Sequence, residues 1–399
     1  MSLRYFKQFD WEAEIVTVKS FYSDLVKDPL LIKSIPEDIK VHSVKALSKK
    51  WTSRFGLGSI SLRSLWFYFT YVNKLLSKQN YDLIYFSTTQ YPVCVLGPYW
   101  KKKFKIPFVI DIQDPWHTDY YKNKPKSERP PKYWFSYRLN KLLERIALKS
   151  VDGLISVNQA YINDLKDRYI KIKDIPAATV PFSSSFIDFE IAKLNNSEFN
   201  SYYNNDEKIK IAYVGAVGTI MKESIIKLLY AFKTFVNTNP PFKEKIELYF
   251  LGTSYAPNGR GIPSVKPIAN ELGIGGYVIE VTERLTYYNA INHIINSSAL
   301  FIVGSDDSNY IGSKVYNYLM ANKPIYSLLH HESPAISILK NYDLAVINDL
   351  NSTEEIINNS FSKFITSLTR NNQINKRPTY DAMMMTKDQC AVFDKVLNI

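Results

Sequence analysis

Gly312 and Ser313 make a small-residue turn that runs directly into Lys314 and an apolar, tyrosine-bearing stretch ending at Ala321. The first backbone N–H groups of a helix have no intrahelical partners. Such a helix start, joined by an ammonium group, is suited to an anion. A departing diphosphate is one candidate, because negative charge builds on it as a sugar bond breaks. The same residues also fit a capped helix whose lysine faces solvent, and the motif alone does not choose. A second glycine-bearing turn lies at 209–232, where a β-rich run ends in Gly215 and is followed by Gly218 and Lys222. Glycine at a strand end lets backbone approach a ligand, though it serves an ordinary strand–helix turn as well. In the first half, Asp111, Asp114, Trp116 and His117 follow the apolar run at 107–112. Carboxylates there can orient acceptor hydroxyls or face positive charge on an oxocarbenium-like sugar. Alternatively they cap the turn, with Trp116 in the core. We place function ahead for Asp114 and His117 and leave Asp111 open.

Those residues need strands to present them. Short β-rich runs alternate with helical patterns almost throughout, which predicts parallel sheets with crossover helices. In the first half, strands are expected at 13–18, 39–44, 82–86, 107–112 and 153–157. Helices are expected at 61–78, 93–103, 132–149 and 159–168. The second half predicts strands at 209–215, 246–251, 277–281, 300–303, 324–327 and 344–347, separated by helices. This α/β rhythm implies two Rossmann-like doubly wound domains, with ligands at the carboxyl ends of the strands. The expected division is an N-terminal domain 1–182, a Ser/Asn/Asp-rich linker 183–207, a C-terminal domain 208–376 and a final helix 377–399 that packs back on the first domain. A lobe of this kind usually opens with a strand and a turn. Here the opening residues read as a helix end running straight into a strand, so that first strand is not expected.

The segment 311–327, IGSKVYNYLMANKPIYS, resembles the donor motif of family-four-type ("group one") bacterial glycosyltransferases, in which Lys314, Tyr318, Leu319, Ala321, Lys323 and Pro324 match. The family commonly carries two glutamates eight positions apart. Asn309 and Asn317 stand there instead, and an amide can hydrogen-bond a hydroxyl but cannot act as a base. The run through Gly215 is similar to the opening of the family's donor lobe. Lys222 falls where the family places a phosphate-binding lysine, and Ala216 replaces a frequent arginine. Segments 248–252, 279–290 and 299–305 fit the same register; the resemblance puts Arg284 and Leu285 beside the nucleotide base. In the first half, 81–116 looks like the family's strand–helix–strand and Asp-x-x-Asp-x-Trp turn, and 144–158 matches a stretch read here as packing.

The resemblance implies the GT-B architecture, two such domains facing across a cleft. The second would hold a nucleotide sugar, with Gly215, Lys222, Gly312, Ser313 and Lys314 around its phosphates and Asn309 and Asn317 on its sugar or ribose. The first would hold a glycan or lipid-linked acceptor near Asp114 and His117. Retention of anomeric configuration and a place in surface polysaccharide synthesis are implied too. Two other readings remain open: a degenerate, non-catalytic protein that binds a sugar nucleotide or a partner, and a nucleotide-sugar epimerase.

Composition narrows the classes. The chain has 399 residues, 46% hydrophobic and 22% charged, which is ordinary for a globular protein of two domains. Its net charge of +12 favours anionic partners. No helix-turn-helix, zinc-finger or RNA-recognition signature accompanies that charge, so nucleic acid is ranked low. The two cysteines and five histidines show no metal-type spacing. Asp306-Asp307 are read as loop residues, and no cofactor or metal is expected. Without a secretory core or a 20-residue apolar run, a cytoplasmic protein is expected. Aromatics and lysines at 63–78, with basic runs at 101–105 and 122–132, suggest peripheral contact with anionic lipid. For 66–71, burial in the core is placed ahead of that.

Overall fold

The computed structural model describes the chain except for residues 24–26, 54–57, 120, 123, 131, 257–258, 306–311, 370–379 and 399. It forms two compact units, one of Met1–Leu25, Ile35–Phe182 and Ala382–Ile399, the other of Val26–Ser34 and Ser183–Asp381.

The first unit carries β1 (Ile15–Val18), β2 (Val41–Val44), β3 (Ile84–Ser87), β4 (Phe108–Ile112), β5 (Gly153–Ser156) and β6 (Ala177–Thr179). All pairings are parallel, but β1 joins only β2, while β3-β4-β5-β6 form a separate four-stranded sheet. β4 is buried at all five positions, the mark of a central parallel strand covered on both faces. β6 escaped the sequence reading because Ala-Ala-Thr is too short and too small to register as a strand. The core gathers around Phe86, Trp100 and Phe108; the Phe86 and Trp100 rings stack 6.1 Å apart.

The helix Ala382–Leu397 belongs to this unit. Asp394 accepts from the Trp11 indole at 2.9 Å, and Phe393 sits against Phe6, Trp11 and Tyr85. Gly153 is what permits that approach, since a Cβ there would stand 2.8 Å from Val396 Cγ2. The helix Ile60–Leu76 departs from expectation. Trp66, expected in the core, is 67% exposed, and Tyr71 is exposed as well. The buried face of this helix is carried by Ser61, Arg63, Ser64, Val72 and Leu76. Arg63 earns its burial by donating to the carbonyls of Leu47 and Tyr22.

The second unit holds one six-stranded parallel sheet: β7 (Ile209–Val214), β8 (Ile246–Leu251), β9 (Val278–Val281), β10 (Ala299–Val303), β11 (Ile325–Leu329) and β12 (Ala345–Asp349), in the spatial order β12-β11-β10-β7-β8-β9. From β7 the chain runs outward to β9, then returns to β10 on the other side of β7. That reversal is the topological switch point, where doubly wound sheets bind ligands at the strands' carboxyl ends. Aromatic side chains fill one face, with Phe361 meeting Phe301, Tyr326 and Phe235.

The stretch 183–207, expected as a linker, contains the helix Phe186–Leu194. Phe189 and Ala192, three residues apart, pack on Tyr288 and Ile291 of the helix Tyr287–Asn296, and Asp188 accepts from the hydroxyls of Tyr287 and Tyr288. That narrow apolar stripe was hidden among Ser and Asn. Among the described residues, no helix is long and apolar enough to cross a membrane.

Candidate functional site

In the second unit the site is built at the switch point. The helix Lys314–Ala321 is tied to the end of β7 by Tyr318, whose hydroxyl accepts from the Val214 N–H at 2.8 Å. Lys314 lies one turn earlier on the same helical face. It therefore lands over the next residue of the strand end, Gly215. A Cβ on Gly215 would stand 3.1 Å from the Lys314 ammonium nitrogen, and φ of +140° would strain any other residue there. The ammonium donates to the Tyr213 hydroxyl and lies 3.8 Å from that ring's centroid. Tyr213 in turn donates to the Ala216 carbonyl at 2.8 Å. Gly312 and Lys314 line a small cavity with Ile302, Val303, Leu329 and Ala335.

Burial, reinforced by the charge of Arg284, lowers the Lys314 pKa to about 7. Near pH 7 this group is thus about half neutral, and an anionic ligand would draw about half a proton onto it. Arg284 is exposed in the loop after β9 and lies 4.8 Å over the Tyr255 ring. Leu285 follows against the end of β8, its N–H 3.5 Å from where a Gly252 Cβ would stand. Glu280, on β9, braces the connection between β8 and β9. Its carboxylate accepts the N–H groups of Ser264, Val265 and Lys266 at 2.7–2.9 Å and the Thr253 hydroxyl at 2.8 Å.

Of the residues expected in this domain, Gly215, Gly312 and Lys314 come together, with Arg284 near enough for its charge to act on Lys314 and Leu285 against Gly252. Ser313 is the exposed residue preceding the helix. Lys222 opens the helix Lys222–Thr238, exposed and without a partner among the described residues. Asn317, three residues after Lys314 on the same helix, accepts from the Ser184 hydroxyl at 2.8 Å. Asn309, like Asp306 and Asp307, lies outside the described residues. Tyr213 and Glu280 went unnoticed in the sequence. Tyr213 had a signal, a hydroxyl in a strand that must be buried, which needs a partner.

In the first unit, Asp111 lies at the carboxyl end of β4. It is buried and accepts from Gln113 at 2.9 Å, Tyr85 at 3.2 Å and Ser87 at 3.4 Å. Burial raises its carboxyl above the usual range, those three donors opposing. All three donors converge on one carboxylate oxygen, Oδ2. Asp114 keeps its side chain exposed; desolvation by the packed turn raises its pKa. Its backbone is clamped on Tyr91, whose hydroxyl donates to the Asp114 carbonyl at 2.6 Å and accepts its N–H at 2.8 Å. Trp116 is buried and stacks on Tyr91 at 5.3 Å.

His117 is buried as well. Its Nδ1 faces Arg168 at 3.2 Å, and Arg168 reaches the buried Glu144 at 2.5 Å. Tyr169 donates to the same Glu144 oxygen at 2.9 Å. Burial and the neighbouring guanidinium hold His117 below the ordinary histidine range. Glu144 had been read as a packing residue, and Arg168 only as a helix end; 24 and 51 residues separate Arg168 from its two partners, too far for spacing to reveal.

The fold and the switch-point site define a class: this is a GT-B protein of two Rossmann-like domains. Across 95% of the chain and 97% of the other, it superposes on a UDP-forming α,α-trehalose-phosphate synthase from Burkholderia vietnamiensis with a TM-score of 0.52 and 9% identity. Anabaena Alr3699/HepE, solved in complex with UDP, gives 0.53 at 12% identity, covering 96% and 94% of the two chains. In sequence the chain is 23% identical over 340 residues to an uncharacterised glycosyltransferase of Methanocaldococcus jannaschii, spanning 81% of this chain and 77% of that one. No protein-family profile matches. The solved structures share with this chain the GT-B fold, and the curated relative that resembles it in sequence is a glycosyltransferase.

Proposed function

We propose that this GT-B glycosyltransferase moves a sugar from a nucleotide-sugar donor onto a glycan or lipid-linked acceptor, with retention of anomeric configuration, in surface polysaccharide synthesis. The observation that carries the donor half is the Lys314 ammonium poised over Gly215 at the switch point. In this reading the diphosphate lies at Gly215, Gly312, Ser313 and Lys314, with Lys222 nearby. Arg284 and Leu285 adjoin the base, and Asn317, together with Asn309, serves sugar or ribose hydroxyls. Asp114 and His117 act on the acceptor side, while Asp111 orders the end of β4. The chemistry requires no resident metal or cofactor: the cationic groups meet the leaving diphosphate directly. Retention and the polysaccharide pathway rest on the family resemblance of 311–327.

Thermal-shift measurements against UDP-, GDP-, dTDP- and CMP-sugars test the donor half; UDP-sugars come first because HepE was solved with UDP. A shift with one nucleotide class is the expected result. No shift with any of them would leave a non-catalytic protein. Release of an altered sugar nucleotide without acceptor would make it an epimerase.

The acceptor half extends to a membrane surface. Trp66 and Trp134 are 67% and 65% exposed in a unit rich in lysine, with Arg138 beside Trp134 at 5.8 Å. Exposed tryptophans beside cations suit an anionic bilayer face. The protein should sediment with phosphatidylglycerol vesicles at low salt and not with phosphatidylcholine vesicles. Equal behaviour with both would end this part of the reading.

A further inference from the structure

Arg168 is always protonated, so its nitrogen can only donate. Facing it at 3.2 Å, His117 Nδ1 must therefore present a lone pair. A neutral imidazole has one proton to place, and it is left at Nε2. That nitrogen is buried and has no partner among the described residues. Arg168 is itself held by Glu144, the most buried carboxylate on this side of the fold, and Tyr169 braces the same oxygen.

We propose that Arg168 and Glu144 are positioning residues that lock His117 as its Nε2–H tautomer, so that this imidazole serves sugar transfer as a neutral hydrogen-bond donor to a substrate oxygen. The inference rests on the transferase reading for its substrate, but not for its geometry. A buried N–H without an acceptor is unfavourable, and an incoming hydroxyl or phosphate oxygen relieves that cost.

The surrounding groups oppose a charged imidazole. Protonation would set Nδ1–H against the Arg168 guanidinium. From its own loop His117 meets Asp119 and Lys122. From the helix Tyr133–Leu148 it meets Tyr137, whose ring lies 4.5 Å away, together with Lys141 and Glu144. From the helix Gln159–Arg168 it meets Arg168. Asp119 alone favours the imidazolium directly; Arg168, Lys141 and Lys122 disfavour it. His117 is thereby suited to donate a hydrogen bond and not to shuttle a proton.

Long-range 1H–15N correlation spectra of histidine-labelled protein, with His117 assigned through His117→Gln, read the tautomer directly. The wild type should show protonated Nε2 and bare Nδ1, and should stay neutral below the pH at which a free histidine charges. Arg168→Met should let the Nδ1–H form appear and raise the His117 pKa. It should lower kcat for transfer about tenfold or more while donor affinity stays within twofold, and Arg168→Lys should restore part of each. An Nδ1–H tautomer in the wild type overturns the proposal, and that spectrum decides even if Arg168→Met fails to fold. An unchanged tautomer and pKa in a folded Arg168→Met, or an unchanged kcat, overturns it too. If no sugar is transferred by wild type at all, the transferase reading falls, and with it the substrate role, while the spectra still decide the lock.

Discussion

Replacing Lys314 by Ala should weaken nucleotide-sugar binding by about 10- to 100-fold in isothermal titration. A hydrogen bond to a charged group contributes about 1.5–3 kcal/mol, and 1.4 kcal/mol is a factor of ten. In the free protein that ammonium donates to the Tyr213 hydroxyl and has a like-charged neighbour in Arg284. It gives up little when a diphosphate arrives. Its pKa of about 7 adds a second signature. A nucleotide diphosphate sugar carries constant charge between pH 6 and 8, so any pH dependence there comes from the protein. Binding favours protonated Lys314 and takes up a proton above pH 7. Affinity should therefore fall about tenfold from pH 6 to pH 8. Lys314→Ala should flatten that slope along with the affinity.

The free protein should respond the other way. The folded pKa lies below the unfolded one, so the unfolded chain binds more protons between pH 7 and about 10.4. This group's contribution to stability therefore rises with pH through that window. Lys314→Met should then fold at least as well as wild type at pH 7 while binding donor poorly, the pattern of a site kept for function at the expense of stability. Unchanged affinity in Lys314→Ala, or a flat wild-type profile with intact binding, would remove Lys314 from the donor site.

Glu144→Ala should destabilise the protein by about 3 kcal/mol in urea unfolding at pH 7. Breaking a buried ion pair typically costs about 3–5 kcal/mol, because the remaining charge is left without its partner. The lower figure is expected because Arg168 is 31% exposed and can recruit water, whereas Glu144 is only 2% exposed. Burial raises the Glu144 carboxyl above its ordinary value despite the guanidinium beside it. The pair is therefore not a net source of much stability, and removing both charges should be milder than removing one. Glu144→Ala/Arg168→Ala should recover a good part of the loss. A double variant as unstable as the sum of the two singles would show that the residues do not act as a pair.

The strands and helices were largely legible because parallel strands buried on both faces are continuous apolar runs, and helices repeat every three to four residues. β4 and β10, buried at every position, are the clearest cases. β6 and the helix Phe186–Leu194 were not, one for want of length and the other because two spaced apolar residues sat in a polar stretch. Trp66 was misplaced because its helix buries serines and an arginine whose hydroxyls and terminal guanidinium nitrogens donate to backbone carbonyls, which an apolar-inside pattern does not anticipate.

The amino-acid sequence by itself determined the α/β rhythm, the glycine at the end of β7 and the turn-plus-lysine at 312–314, because these depend on local periodicity and on residue types within a few positions. Only the tertiary structure decided what those residues do to one another. It brought Lys314 over Gly215, 99 positions away, by anchoring Tyr318 to Val214, and it set Arg168 between His117 and Glu144. The physical reason is that pKa and tautomer are properties of neighbours in space: desolvation and a facing charge act over a few ångströms, and chain order carries no record of them until folding closes those distances.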